Sequence, residues 1–250
     1  MTCIIDALKK WDIATTDIPG AFMQAYMDEI FNMKIKGKMA QLMTKIDPKK
    51  YEKYTIMEKG KPVIYVRLLK SLSGTLKTAF LFWENLSETL QEWGFKINPY
   101  DWCVANKMIN GKQCTIGWHV DNLKISHVKS EVVDDILNKL DDRYGKEAPM
   151  VTTRGKIHDY IGMTLDYNID GKVQITTFEY IAKIVEESPM ELDGEPTSPA
   201  ANHLFEIDDN GIKLKPKQKD LFHELVAKLL YLGKQERPDL QTTLSFLSTE

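Results

Sequence analysis

Asn110-Gly111 separates two β-capable runs, Trp102 to Ile109 and Gln113 to Trp118. No other dipeptide in the chain restricts the fold as much, because a two-residue Asn-Gly connection takes a primed turn whose twist matches that of antiparallel strands. The two runs are therefore expected to pair as a hairpin. His119-Val120-Asp121-Asn122 follows, with an Asp and an Asn suited to a second tight turn, and a third strand is expected to begin at Leu123. Two apolar stripes at helical spacing flank this meander. Ala79, Phe82, Trp83, Leu86, Leu90 and Trp93 form one, with Gly94 where a C-terminal cap belongs; Val133, Ile136, Leu137, Leu140 and Tyr144 form the other, ending near Gly145. The pattern reads as α+β, an antiparallel sheet with packed helices.

Upstream, Ile13 to Thr16 is a short strand-like run that meets Asp17 and stops at Pro19-Gly20. Asp17 thus falls at a strand end and Asp121 at a hairpin tip. Phe22, Tyr26 and Ile30 recur every four residues and predict a short helix after the turn. Residues 34–62 are lysine-rich, are broken by Pro48 and Gly60-Lys61-Pro62, and read as an irregular insertion before a strand at Val63 to Leu69. Downstream, Ile161 to Asn168 and Val173 to Thr177 predict a second hairpin through Asp170-Gly171, then a helix from Phe178 to Glu187 that Pro189 stops. Pro196 and Pro199 mark a linker over about 189–218, and a last helix spans Leu221 to Leu232, closing at Gly233.

The 250 residues are 43% hydrophobic and 28% charged, which excludes collagen-like and highly charged disordered classes. No apolar run approaches the roughly 20 residues of a membrane span, and the first residues lack the basic-then-apolar order of a secretory leader. An intracellular location and no membrane partner are the expectations. Cys3, Cys103 and Cys114 are odd in number and lack C-x-x-C spacing, and the five histidines have no ligand spacing. No phosphate loop, G-x-G-x-x-G or H-E-x-x-H occurs. The net charge is −3, yet Lys34 to Lys77 holds twelve basic residues against Asp47, Glu52 and Glu58, a local balance of +9. Such a stretch either follows phosphates or forms a solvated charged face.

Carboxylates at element ends are what a two-metal phosphoryl-transfer centre needs, since divalent ions held about 3.5 to 4 Å apart stabilise attacking and leaving oxygens. Aspartates also occur in turns for conformational reasons alone, and spacing does not separate the two. Three motifs in order add a resemblance: Asp17-Ile18-Pro19-Gly20-Ala21-Phe22-Met23-Gln24, Lys70-Ser71-Leu72-Ser73-Gly74, and Trp118-His119-Val120-Asp121-Asn122-Leu123. Together with Gly155 to Gly162, Leu230-Tyr231-Leu232 and Arg237-Pro238-Asp239, the chain resembles the reverse transcriptase of copia-type LTR retrotransposons over nearly its whole length.

The resemblance implies a right-hand polymerase. Residues 1–176 would be the palm with partial fingers, including the insertion at 34–62, and 177–250 the start of a helical thumb or connection. It implies RNA-directed DNA polymerisation, with Asp17 and Asp121 binding two Mg²⁺ ions (Mn²⁺ as a substitute), the Ile18 carbonyl adding a ligand, and Asn122 at the second acidic position. Phe22, Ala21 and Lys77 would line the nucleotide site, with the Phe22 ring crowding the sugar 2′-carbon and so disfavouring ribonucleotides. Primer-template and deoxynucleoside triphosphates would be partners, and RNase H and integrase segments would belong to the same polyprotein, in a cytoplasmic particle or the nucleus. Two residues depart from the family pattern: Ser73 stands where Tyr is usual, and Asn122 where Asp is. They keep open a remnant that binds nucleic acid or a partner without catalysis; a nuclease using the same aspartates is a third reading.

Overall fold

The computed structural model describes residues 2–72, 76–188, 194, 197–200, 204–206, 211 and 213–249. Ser73, Gly74, Pro189, Pro196 and half of the expected linker lie outside the described residues. The chain forms two compact units, 1–155 and 156–250.

In the first unit the order is α1 (Thr2–Lys9), β1 (Asp12–Asp17), a 3-10 turn (Ala21–Gln24), β2 (Tyr26–Lys36), α2 (Lys38–Ile46), α3 (Pro48–Tyr51), β3 (Thr55–Glu58), β4 (Lys61–Lys70) and α4 (Leu76–Glu92). It continues with β5 (Lys96–Asn98), β6 (Asp101–Ile109), β7 (Lys112–His119), β8 (Asn122–His127), α5 (Ser130–Tyr144) and β9 (Val151–Arg154). Strands β5-β6-β7-β8-β1-β9 form one sheet, and β2-β4-β3 a second. Every pairing in both is antiparallel.

The meander forms as the dipeptide requires. Asn110 and Gly111 hold φ of 50° and 72°, the pair of positive angles a primed turn needs. Cross-strand partners share a sheet face, so the register Ala14–Ile125–Ile116–Ala105 draws one apolar row across four strands. Leu81, Phe82, Leu86 and Leu90 of α4 and Val133, Ile136 and Leu140 of α5 cover that row. Tyr144 ties the two helices together: its ring meets Phe82 edge-on at 6.3 Å, and its hydroxyl bridges Asn85 and Thr89 of α4, each at 3.0 Å.

The opposite face of the same sheet is polar. Thr15 opposes Lys124, which opposes Gly117, while Ser126 opposes Thr115 and Thr115 opposes Asn106. Burying Lys124 there requires a counter-charge. Helix α1 supplies it through Asp6, whose carboxylate accepts from the Lys124 ammonium with both side chains almost fully buried.

Several sequence expectations are corrected. Phe22, Tyr26 and Ile30 do not share a helix: the 3-10 turn ends at Gln24, and Tyr26 and Ile30 lie exposed on β2, where pairing with β4 overrides the fourfold spacing. Residues 34–62 are not irregular, because β2, α2, α3, β3 and the start of β4 occupy them. Of the predicted stripe, Ala79 faces solvent.

The second unit pairs β10 (Ile157–Tyr160), β11 (Met163–Asp166) and β12 (Gln174–Thr176) antiparallel, the last two through the predicted Asp170-Gly171 turn. Helix α6 (Phe178–Glu187) follows, then α7 (Pro216–Gln235) and α8 (Gln241–Leu247). Tyr180 of α6 packs on Tyr231 of α7 at 5.0 Å and donates to the Lys228 carbonyl at 3.1 Å. Gly233 does not close α7. It sits buried inside the helix, where a Cβ would approach Leu244 Cδ1 to 3.3 Å, so the absent side chain admits α8. No described helix is long and apolar enough to cross a membrane.

Candidate active site

Asp17 is the last residue of β1, and its register partner is Asn122, the first residue of β8. Asn122 in turn opposes His119 at the end of β7. By strand alternation Asp17 shares the face of Ile13 and Thr15, the polar face, away from the core. One residue beyond, the Ile18 N–H donates to the Asp121 carbonyl at 2.9 Å. The end of β1 and the β7–β8 turn are therefore pinned together, and the two aspartates come together at one end of the strands of one sheet.

Electrostatics records the proximity. Burial pushes the Asp17 carboxyl above its usual range, and the negative charge of Asp121 pushes it in the same direction. The Asn122 side-chain amide donates to Asp121 Oδ1 at 3.2 Å, so an N–H faces Asp121 where an aspartate would present a second charge. The turn itself is held in an unusual conformation: Val120 has φ of 55°, a left-handed angle rare for a β-branched residue and costing about 1–3 kcal/mol.

Two carboxylates and substrate phosphates meet the usual requirement of Mg²⁺, which binds through one or two carboxylates and keeps several waters. The fit rests on Asp17 and Asp121, whose mutual repulsion a cation would relieve. A third acidic ligand is not at hand: among the described residues, no group of three or more His, Cys, Asp or Glu is placed to hold a metal.

The remaining sequence candidates are more dispersed. Ile18 and Ala21 are buried, and the Ile18 N–H is committed to Asp121. Phe22 is half-buried against the core of the first unit, and its carbonyl accepts from the Ser71 hydroxyl. Lys77, on the first turn of α4, is ion-paired with Asp28 at 2.9 Å and with Glu29, both on β2. Its described partners do not include Asp17 or Asp121.

Three supporting features escaped the sequence reading. Gln24 donates to the Tyr144 carbonyl at 3.1 Å and the Pro19 carbonyl at 3.4 Å, clamping the loop after Asp17 onto α5. Strand β9 flanks β1 on its other side, pairing Asp17 with Val151 and linking Thr16 Oγ1 to Thr152 Oγ1 at 2.8 Å. Asp6–Lys124 braces the polar face from α1. Only the capacity of Gln24 for side-chain hydrogen bonding is visible in a single sequence, and its partner at Tyr144 is not.

No protein-family model matches the chain. It is similar to the putative transposon Ty5-1 protein YCL074W of Saccharomyces cerevisiae, 25% identical over 178 residues that cover 69% of the chain and 54% of that protein. The chain thus spans about half the length of the curated relative it matches. Among solved structures, apo telomerase from Candida tropicalis truncated from its C-terminal domain aligns with a TM-score of 0.38 and 12% identity, covering 69% of this chain and 38% of that one. Telomerase from Candida tropicalis in complex with a TWJ fragment of telomeric RNA aligns at 0.41 and 10%, covering 98% and 40%. These two structural likenesses are too distant to carry an inference. The sequence likeness relates the chain to a retrotransposon protein.

Proposed function

We propose that the first unit is the nucleotidyl-transfer centre of a copia-type reverse transcriptase, attenuated by Asn122. The observation that carries this is the β1–β8 register, which sets Asp17 beside Asp121 and Asn122 at the end of one sheet. In this reading the six-stranded sheet with α4 and α5 is the palm, the β2-β4-β3 sheet belongs to the fingers, and 177–250 begins the thumb or connection. The motif order and the likeness to a retrotransposon protein support it.

Asp17 and Asp121 would hold Mg²⁺, or Mn²⁺ in its place, which when bound supplies positive charge to the phosphate oxygens of a deoxynucleoside triphosphate. The chain's own work is positioning. The β1–β8 pairing fixes the carboxylates, and the Gln24 clamp fixes the loop that carries Phe22. The primer 3′-oxygen forms a bond to the α-phosphorus, the bond to pyrophosphate breaks, and the hydroxyl proton leaves to solvent.

Asn122 lacks the charge an aspartate would contribute. A unit charge at about 4 Å is worth roughly 4 kcal/mol at an effective dielectric of about 20, and about 1.4 kcal/mol is tenfold in rate. Asn122→Asp should therefore raise Mg²⁺-dependent extension of a primed template by about a thousandfold, and adding Asp17→Asn should abolish the gain. If Asn122→Asp extends no primer, nucleotidyl transfer at this site is refuted. The amide at 122 specifically favours a second reading, a binding remnant without turnover; retained primer-template binding with no extension by either chain would establish it.

A further inference from the structure

Strand β2 is an edge of the β2-β4-β3 sheet, 11 residues long and without proline. Its outer row of backbone N–H and C=O groups pairs with no further strand among the described residues, and such an edge is a template for another chain. Tyr26, Ile30 and Phe31 stand exposed along it. Met27 to Ile30 have no register partner on β4, so the first half of β2 is also loosely held by its own sheet. Side-chain alternation nevertheless persists: Met27, Glu29, Phe31 and Met33 all line one apolar hollow of about 330 Å³, with Leu68 and Leu72. Asp28, Ile30, Asn32 and Lys34 therefore share the opposite face.

Charge is graded along the strand. Asp28 and Glu29 lie in its first half, Lys34 and Lys36 in its second. An antiparallel copy of β2 reverses that order. Full overlap centres the pairing on Phe31, opposite the partner's Phe31. On one face Asp28 then meets the partner's Lys34 and Tyr26 meets the partner's Lys36; on the other, Met27 meets the partner's Ile35. A slip of one residue turns the apolar face of one copy against the charged face of the other, and a slip of two sets Lys34 against an apolar or aromatic side chain. Within one copy, Asp28 pairs with Lys77 at 2.9 Å and Lys34 with Glu58. Both pairs are exposed and contribute little, so exchanging them across the edge is not opposed.

We propose that β2 pairs antiparallel with β2 of a second copy of this chain, forming a two-fold dimer in which one surface meets itself. A single six-stranded sheet then runs through both copies, and the two apolar hollows meet at Phe31. Nothing at Asp17 or Asp121 enters this contact, so it stands apart from the proposed function.

Sedimentation velocity of the full chain over a range of concentrations tests it. The native chain should form a dimer and nothing larger, because a two-fold contact closes on itself. Asp28→Lys and Lys34→Asp each turn two attractive cross-strand pairs into two repulsive ones and should weaken the dimer by at least about tenfold. An equimolar mixture of the two variants should dimerise again, since every lysine at these positions then meets an aspartate. The double variant Asp28→Lys/Lys34→Asp restores both pairs within one chain and should also recover the dimer; a merely misfolded chain would not be rescued by either route. A native chain that is monomeric at every soluble concentration, open-ended assembly, single variants that dimerise unchanged, or failure of both the mixture and the double variant to recover the dimer would overturn the proposal.

Discussion

Asp17 weakens the fold that holds it. Its carboxyl sits above its usual range because of burial first and the Asp121 charge second. A carboxyl raised in the folded state favours folding while protonated, and that contribution is present below about pH 4 and lost as pH rises through the folded value. At neutral pH the ionised group therefore opposes folding. Asp17→Asn should be more stable than the native chain at pH 7, on the order of 0.5–1 kcal/mol by urea unfolding, and the difference should vanish near pH 3. A variant equally or less stable at pH 7 would mean that the strand end tolerates the charge. Among single residues, Asp17 and Asp121 were legible as element ends from the adjoining Pro-Gly and turn signals. The left-handed angle at Val120 was not, because a β-branched residue is among the last that propensity assigns to that conformation.

The elements read most clearly where a local rule was decisive. Asn110-Gly111 set the hairpin, and the stripes through Leu86 and Leu140 set α4 and α5. Reading failed where tertiary pairing decided the outcome. Tyr26 and Ile30 satisfy a helical spacing, yet β4 recruits them into a strand, with a register shift between Tyr26 and Phe31 that no local pattern announces. The lysines of 34–62 hid α2 and β3, because charge on one face of an element masks the apolar face opposite. Helix α1 went unread, and with it the pairing of Asp6 with Lys124 across the polar sheet face. Removing one partner of a buried pair leaves an uncompensated charge, worth about 3–5 kcal/mol. Asp6→Asn should lower the urea midpoint accordingly, and adding Lys124→Met should recover much of the loss. Equal destabilisation of the single and double variants would show that α1 packing, not charge, sets the cost.

For the whole molecule, the candidate site belongs to the first unit alone: β1, the β7–β8 turn, β9 and the Gln24 clamp all lie within 1–155. Residues distant in sequence converge because a meander and an upstream strand join one antiparallel sheet, and this convergence is what the motif order implied and spacing alone left open. The proposed centre requires Asp17 and Asp121 to share a cation. Electron paramagnetic resonance of Mn²⁺ titrated into the full chain with a deoxynucleoside triphosphate tests it directly. Asp17→Asn and Asp121→Asn should each weaken Mn²⁺ retention by at least about tenfold, the two together little more than either alone, as for partners in one site. Retention unchanged by both substitutions, or losses that simply add, would contradict a shared site.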